Sequence, residues 1–174
     1  MKVIFLDHDG VICLSSEWGS RHRSGRDGIY RIFDDFNKKA IKVLNEIISE
    51  TDCEIVVSSD WRFHAPLEDM QNLYRMSGIL KAPIGYTPRE VPLDGVSFDK
   101  KTELEHQRSL EIKEYLKQHP EITNWVAVDD LDMRVRYDIH TIEYSWGLEN
   151  FVLTPRSLEG IKQTGIKEKI IKFL

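Results

Sequence analysis

The sequence predicts an α/β fold, a central parallel sheet with helices on its faces. Two observations carry that expectation. Three short apolar runs, residues 3–6, 54–57 and 125–128, each stop abruptly at polar residues, and helical spacing of apolar residues fills the gaps between them. Buried parallel strands read as continuous apolar runs, and alternation of such runs with helices is the pattern of a flanked parallel sheet.

The elements follow in chain order. Residues 3–6 form a buried strand that ends in Asp7, Asp9 and Gly10. Phe33, Phe36, Ala40, Ile41, Leu44, Ile47 and Ile48 recur at helical spacing and predict a helix after it. Residues 54–57 give a second strand, ending in Ser58, Ser59 and Asp60. Residues 83–86 and 139–144 are weaker strand signals. Leu104, Arg108, Ile112, Tyr115 and Leu116 predict a helix if Arg108 lays its aliphatic stem along the apolar face. Residues 125–128 give a third strand, ending in Asp129 and Asp130. Thr154 and Pro155 can open a helix as N-cap and first residue, Gly165 can stop it, and residues 166–174 form a last short helix. Residues 15–31 and 87–101 are polar, carry glycine or proline, and read as loops or small insertions.

Composition narrows the class. Of the 174 residues 41% are apolar and 30% charged, which fits one folded domain over residues 1–174. The balance of 24 basic and 29 acidic residues gives −5, which argues against a general, charge-driven nucleic-acid binder. Two cysteines, Cys13 and Cys53, are too few for a disulfide scaffold or a four-ligand zinc site. The first apolar run is too short for a secretory leader, and no stretch reaches transmembrane length, so a cytoplasmic location is expected.

Ligands of open α/β sheets sit beyond the carboxyl ends of the strands. Those ends here carry Asp7, Asp9, Ser58 and the pair Asp129 and Asp130. Four converging carboxylates repel one another unless a cation neutralises them or protons are retained. An all-oxygen set selects a hard cation, Mg²⁺. In extended chain, Asp7 and Asp9 point to one side, so one can attack phosphorus while the other handles a proton. A carboxylate nucleophile gives an aspartyl-phosphate and divides hydrolysis into two steps. Gly10 allows a sharp turn that brings backbone N–H groups to a phosphate.

The runs Val3-Ile4-Phe5-Leu6-Asp7-His8-Asp9-Gly10-Val11-Ile12, Ile55-Val56-Val57-Ser58 and Val126-Ala127-Val128-Asp129-Asp130 resemble motifs I, II and IV of the haloacid dehalogenase (HAD) superfamily. More narrowly, Ser58-Ser59-Asp60-Trp61-Arg62, Gly85-Tyr86-Thr87-Pro88 and Arg108-x-x-Glu111-Ile112-x-x-Tyr115-Leu116 resemble the small HAD domains associated with RNA-repair proteins. The resemblance implies a three-layer Rossmann-like fold and a Mg²⁺-dependent phosphatase. It implies Asp7 as nucleophile and Asp9 as general acid and base. The metal would be held by Asp7, the Asp9 carbonyl and the acidic pair, with Asp130 direct and Asp129 outside it. Ser58 would donate to the phosphoryl group, with Ser59 as fallback. Motif III normally supplies a lysine; Arg108 occupies the corresponding place, with Lys100 and Lys101 as alternatives. Arg offers a planar fork where Lys offers a point charge.

Superfamily caps enter after motif I or between motifs II and III. The gap from Gly10 to the helix near Phe33 is too short for a helical cap, and the core needs much of the helix, strand and loop between Arg62 and Arg108, which implies a minimal cap and an open site suited to a large substrate. Arg21, His22, Arg23, Arg26 and Arg31 make the segment after motif I basic, and such a cluster, Arg23 among it, attracts phosphate. Arg62 can reach a substrate phosphate; Trp61 plugs the core or stacks on a base. His8, between the two aspartates, points away from them by strand alternation. The preferred substrate is a phosphorylated nucleotide or nucleic-acid end. The alternatives are a small-molecule phosphatase, a nucleotide-sugar transferase using the Asp-x-Asp pair, and a silent HAD-fold binding or regulatory module.

Overall fold

The computed structural model describes residues 1–14, 36–89, 91–92, 100–137, 145–155 and 158–174. The basic segment 15–31, Phe33 and the expected strand 139–144 lie outside the described residues, as does most of 93–101.

Five strands, β1 (Lys2–Leu6), β2 (Glu54–Val57), β3 (Gly85–Tyr86), β4 (Asn124–Asp129) and β7 (Phe151–Leu153), form one sheet among the described residues. Its order is β3-β2-β1-β4-β7, and every pairing is parallel. The chain steps outward from β1 to β3, then crosses back to place β4 on the other side of β1. That reversal opens a crevice between the carboxyl ends of β1 and β4, where ligands bind in such sheets. A separate antiparallel pair joins β5 (Arg136–Tyr137) to β6 (Ser145–Trp146).

Both faces of β1 are buried, which explains its unbroken apolar run. Ile4 and Leu6 pack with α1 (Lys38–Thr51), α2 (Leu67–Met76) and α4 (Ile166–Ile171) on one face. Val3 and Phe5 pack with Ile112 and Tyr115 of α3 (Lys100–Gln118) on the other. Three layers result, helix, sheet and helix. Asn37 starts α1 by accepting from the N–H groups of Lys39 and Ala40, both at 3.1 Å.

Two expectations are corrected. Leu104 is 57% exposed, and the inward face of the first half of α3 is polar instead: Glu105, His106, Arg108 and Ser109. This half overhangs the site, not the apolar core. Thr154 opens no helix. Its N–H continues the β7 pairing onto the Asp129 carbonyl at 2.9 Å, and its hydroxyl donates to the Gly10 carbonyl at 3.2 Å. A 3₁₀ turn, Gly160–Lys162, follows, with Gly160 at φ +52°. A Cβ there would run into the Val11 carbonyl. The last helix is α4, as expected. No helix among the described residues is long and apolar enough to cross a membrane.

Candidate active site

β1 and β4 end side by side, so Asp7 and Asp129 leave the sheet as neighbours. Asp7 is 3% exposed and Asp129 is fully buried. Arg108, reaching down from α3, binds both: its Nη1 donates to Asp7 Oδ1 and to Asp129 Oδ2, each at 3.0 Å. Its Nη2 donates to Asp60 Oδ1 at 2.8 Å. Burial works against a charged guanidinium, but Asp129, Asp7 and Asp60 outweigh it and hold Arg108 firmly protonated. Lys100 and Lys101 stand exposed in the first turn of α3. It is Arg108 that meets the carboxylates.

One guanidinium does not neutralise the cluster. Burial, then the neighbouring Asp129, push the Asp7 carboxyl well above the ordinary carboxylate range. The same two causes raise Asp130 to about 6. Ligand oxygens of Asp7, Asp129 and Asp130 lie within 4.8 Å of one another. This is an oxygen-only set, short of positive charge, with the donor chemistry that suits Mg²⁺. Gly10 completes its wall. It turns the chain at φ +71°, and a Cβ there would collide with the Asp130 carboxyl group. Within the pair, each Asp129 oxygen already accepts a hydrogen bond: Leu131 N–H donates to Oδ1 at 2.9 Å while Arg108 holds Oδ2. Asp130 is only partly buried.

β2 brings Ser58 to the same edge. Its hydroxyl is buried and has no hydrogen-bond partner among the described residues. A buried, orphaned hydroxyl costs about 1–3 kcal/mol, so a polar group that it can meet is favoured there. Ser59 has a local task instead, accepting from Trp61 N–H at 3.4 Å to cap the 3₁₀ turn Asp60–Phe63.

Arg62 departs from the expectation of a substrate contact. It is 1% exposed, and its guanidinium donates to the Ser58 carbonyl and to Glu111 Oε2, both at 2.5 Å. It braces the Ser58 turn from beneath. Arg23, with the rest of the basic segment, lies outside the described residues. His8 does point away from Asp7 and Asp9, into an aromatic nest where its Nε2 meets Tyr74 Oη at 2.7 Å. Burial, reinforced by Arg108, lowers it to about 3, so it is neutral.

Three participants escape sequence reading. Asp60 links Arg108 to Arg62, Glu111 anchors Arg62, and the Trp61 indole N–H donates to Asp9 Oδ2 at 3.0 Å. Their positions next to motif II or within the α3 pattern were visible. Their partners lie across the fold, between 48 and 52 residues away for Asp60–Arg108, Arg62–Glu111 and Asp9–Trp61.

Residues 3–151 match the family described as the HAD domain in Swiss Army Knife RNA repair proteins. No curated protein and no solved structure matches the chain. The matched span holds the site residues from Asp7 through Ser58 and Arg108 to Asp130, and covers most of the chain; the chain belongs to this HAD domain family.

Proposed function

We propose that the protein is a Mg²⁺-dependent phosphohydrolase that works through an aspartyl-phosphate on Asp7 and acts on phosphorylated nucleotides or nucleic-acid ends. The observation that carries the reading is the convergence of Asp7, Arg108, Asp129 and Asp130 at the β1–β4 crevice, with Asp9 two residues beyond the nucleophile. The family's occurrence in RNA repair proteins supports the substrate class.

Asp7, Asp130 and the Asp9 carbonyl would hold the metal, with Asp129 behind them. When bound it supplies positive charge to the carboxylates and to the phosphoryl oxygens. The residues do the rest. An Asp7 carboxylate oxygen attacks phosphorus, and the bond to the leaving oxygen breaks. Asp9 gives that oxygen its proton, so an alcohol departs. In the second step Asp9, now a carboxylate, takes a proton from water as the water oxygen attacks phosphorus. The phosphorus–Asp7 bond breaks, and inorganic phosphate and free Asp7 result. Arg108 holds Asp7 in place throughout and shields it from Asp129. Ser58 donates its orphaned hydroxyl to a phosphoryl oxygen.

The test is phosphate release from an aryl phosphate, with Mg²⁺ or with chelator, by wild type and by a folded Asp7→Asn variant. Mg²⁺-dependent release that vanishes in Asp7→Asn is expected. Equal release by both proteins would remove Asp7 as nucleophile. Comparison of kcat/KM on terminally phosphorylated oligonucleotides, mononucleotides and sugar phosphates then tests the substrate class. Equal or better turnover of sugar phosphates would move the reading to a small-molecule phosphatase.

A further inference from the structure

We propose that Trp61 is the residue that positions Asp9 for proton transfer at the leaving oxygen. The inference rests on the phosphohydrolase reading and adds to it a residue beyond the strand-end motifs.

The bond between them is direct. Trp61 lies in the 3₁₀ turn that follows β2, 5% exposed, and its Nε1–H donates to Asp9 Oδ2 at 3.0 Å. The indole itself is immobilised. It stacks on Phe36, with ring centroids 5.4 Å apart and planes at 16°. The His8 ring meets it edge-on at 4.7 Å. His8 is pinned in turn by the Tyr74 hydroxyl, and Tyr74 closes the ring of contacts by packing edge-on to Phe36 at 5.5 Å. Four segments meet here: the turn after β1, the segment leading into α1, the turn after β2, and α2. To rotate the indole would displace all of them, because a close-packed interior leaves no room for a large ring to swing.

The consequence for Asp9 is chemical. An anchored N–H fixes the direction in which the Asp9 carboxyl group lies. An indole N–H only donates, so Oδ2 is held as an acceptor. Proton transfer demands such alignment, since the acid must lie within hydrogen-bond reach of the leaving oxygen. The burial of Trp61 also removes it as a stacking platform for a nucleobase. Its side chain faces inward, to the acid.

Two measurements test this. The first needs no turnover. In the ¹H–¹⁵N spectrum, the indole cross-peak of Trp61 is identified by its loss in Trp61→Phe. In Asp9→Ala that peak should move upfield, toward a free indole, and in Asp9→Asn, which keeps an acceptor oxygen, it should move less. An unmoved peak in Asp9→Ala would overturn the proposal. The second is leaving-group dependence. Nitrophenyl esters depart without help from an acid; alkyl esters need the proton. Folded Trp61→Phe should lose little kcat/KM on nitrophenyl phosphates and about 10²-fold on alkyl phosphates. On an Asp9→Asn background the same substitution should cost nothing further. An equal loss on all esters would mean a structural role only and sink the idea. A wild type silent on every ester would overturn the phosphohydrolase reading and the proton-transfer role with it, while the indole shift still decides whether Trp61 holds Asp9.

Discussion

Arg108 bonds three carboxylates with two nitrogens, a feat that depends on the planar fork of a guanidinium. A lysine ammonium carries the charge but not the fork. Arg108→Lys is therefore expected to keep the fold and to lower kcat/KM about 10²-fold, the usual cost of one lost electrostatic partner; steady-state kinetics on an aryl phosphate would show it. Asp130 gives a pH signature. Its folded pKa, about 6, lies above the ordinary 3.8, so ionisation works against the metal-free fold at neutral pH. The stability lost in this way returns as pH falls through 6 toward 3.8. In chelator, Asp130→Asn should melt higher than wild type at pH 7.5, with the gap closing by about pH 4. Saturating Mg²⁺ should raise the wild-type Tm at pH 7.5 and leave the variant unmoved. A wild-type advantage in chelator at pH 7.5 would contradict both the strain and the site. Asp7, Asp9, Ser58, Asp129 and Asp130 are legible in the sequence because each lies at, or within three residues of, the end of a strand, and strand ends are local patterns. Asp60, Glu111 and the Asp9–Trp61 bond were not. They depend on how α3 and the β2 turn meet the β1 turn, and no spacing along the chain encodes that.

At the scale of elements, α3 shows how a functional helix misleads periodicity. Its second half obeys the apolar rule, with Ile112 and Tyr115 against β1. Its first half buries Glu105, His106, Arg108 and Ser109, so a search for apolar residues settles on Leu104, one position off the true inward face. The two halves should respond differently to substitution. Leu104→Gln should change stability by no more than about 0.5 kcal/mol, as a surface position does. Ile112→Ala should cost about 2–5 kcal/mol for the cavity it leaves. Urea unfolding of both variants checks this, and a Leu104→Gln cost near that of Ile112→Ala would place Leu104 in the core after all. Thr154-Pro155 misled for a related reason. The dipeptide has helix-start chemistry, but Thr154 is claimed first by the end of β4 and by Gly10, and a helix cap cannot compete with two long-range hydrogen bonds already made.

The molecule as a whole extends beyond its family match. The match ends at residue 151, yet Ile161, Ile166 and Ile170 are buried in the core beneath α1. The tail is thus part of the fold, not an appendage. Deletion of residues 160–174 should abolish the cooperative thermal transition; a truncated chain that kept the wild-type Tm would show the core complete without it. The tail also touches the chemistry. Thr154 donates to the Gly10 carbonyl, and the Ile161 N–H donates to the Val11 carbonyl at 2.9 Å. Both acceptors belong to the turn that carries Asp9. The Ile161 amide can therefore exchange its hydrogen with deuterated solvent only when that turn and the tail part company. A single backbone proton, 154 residues along the chain from Asp7, becomes a clock for how often the turn that carries Asp9 opens.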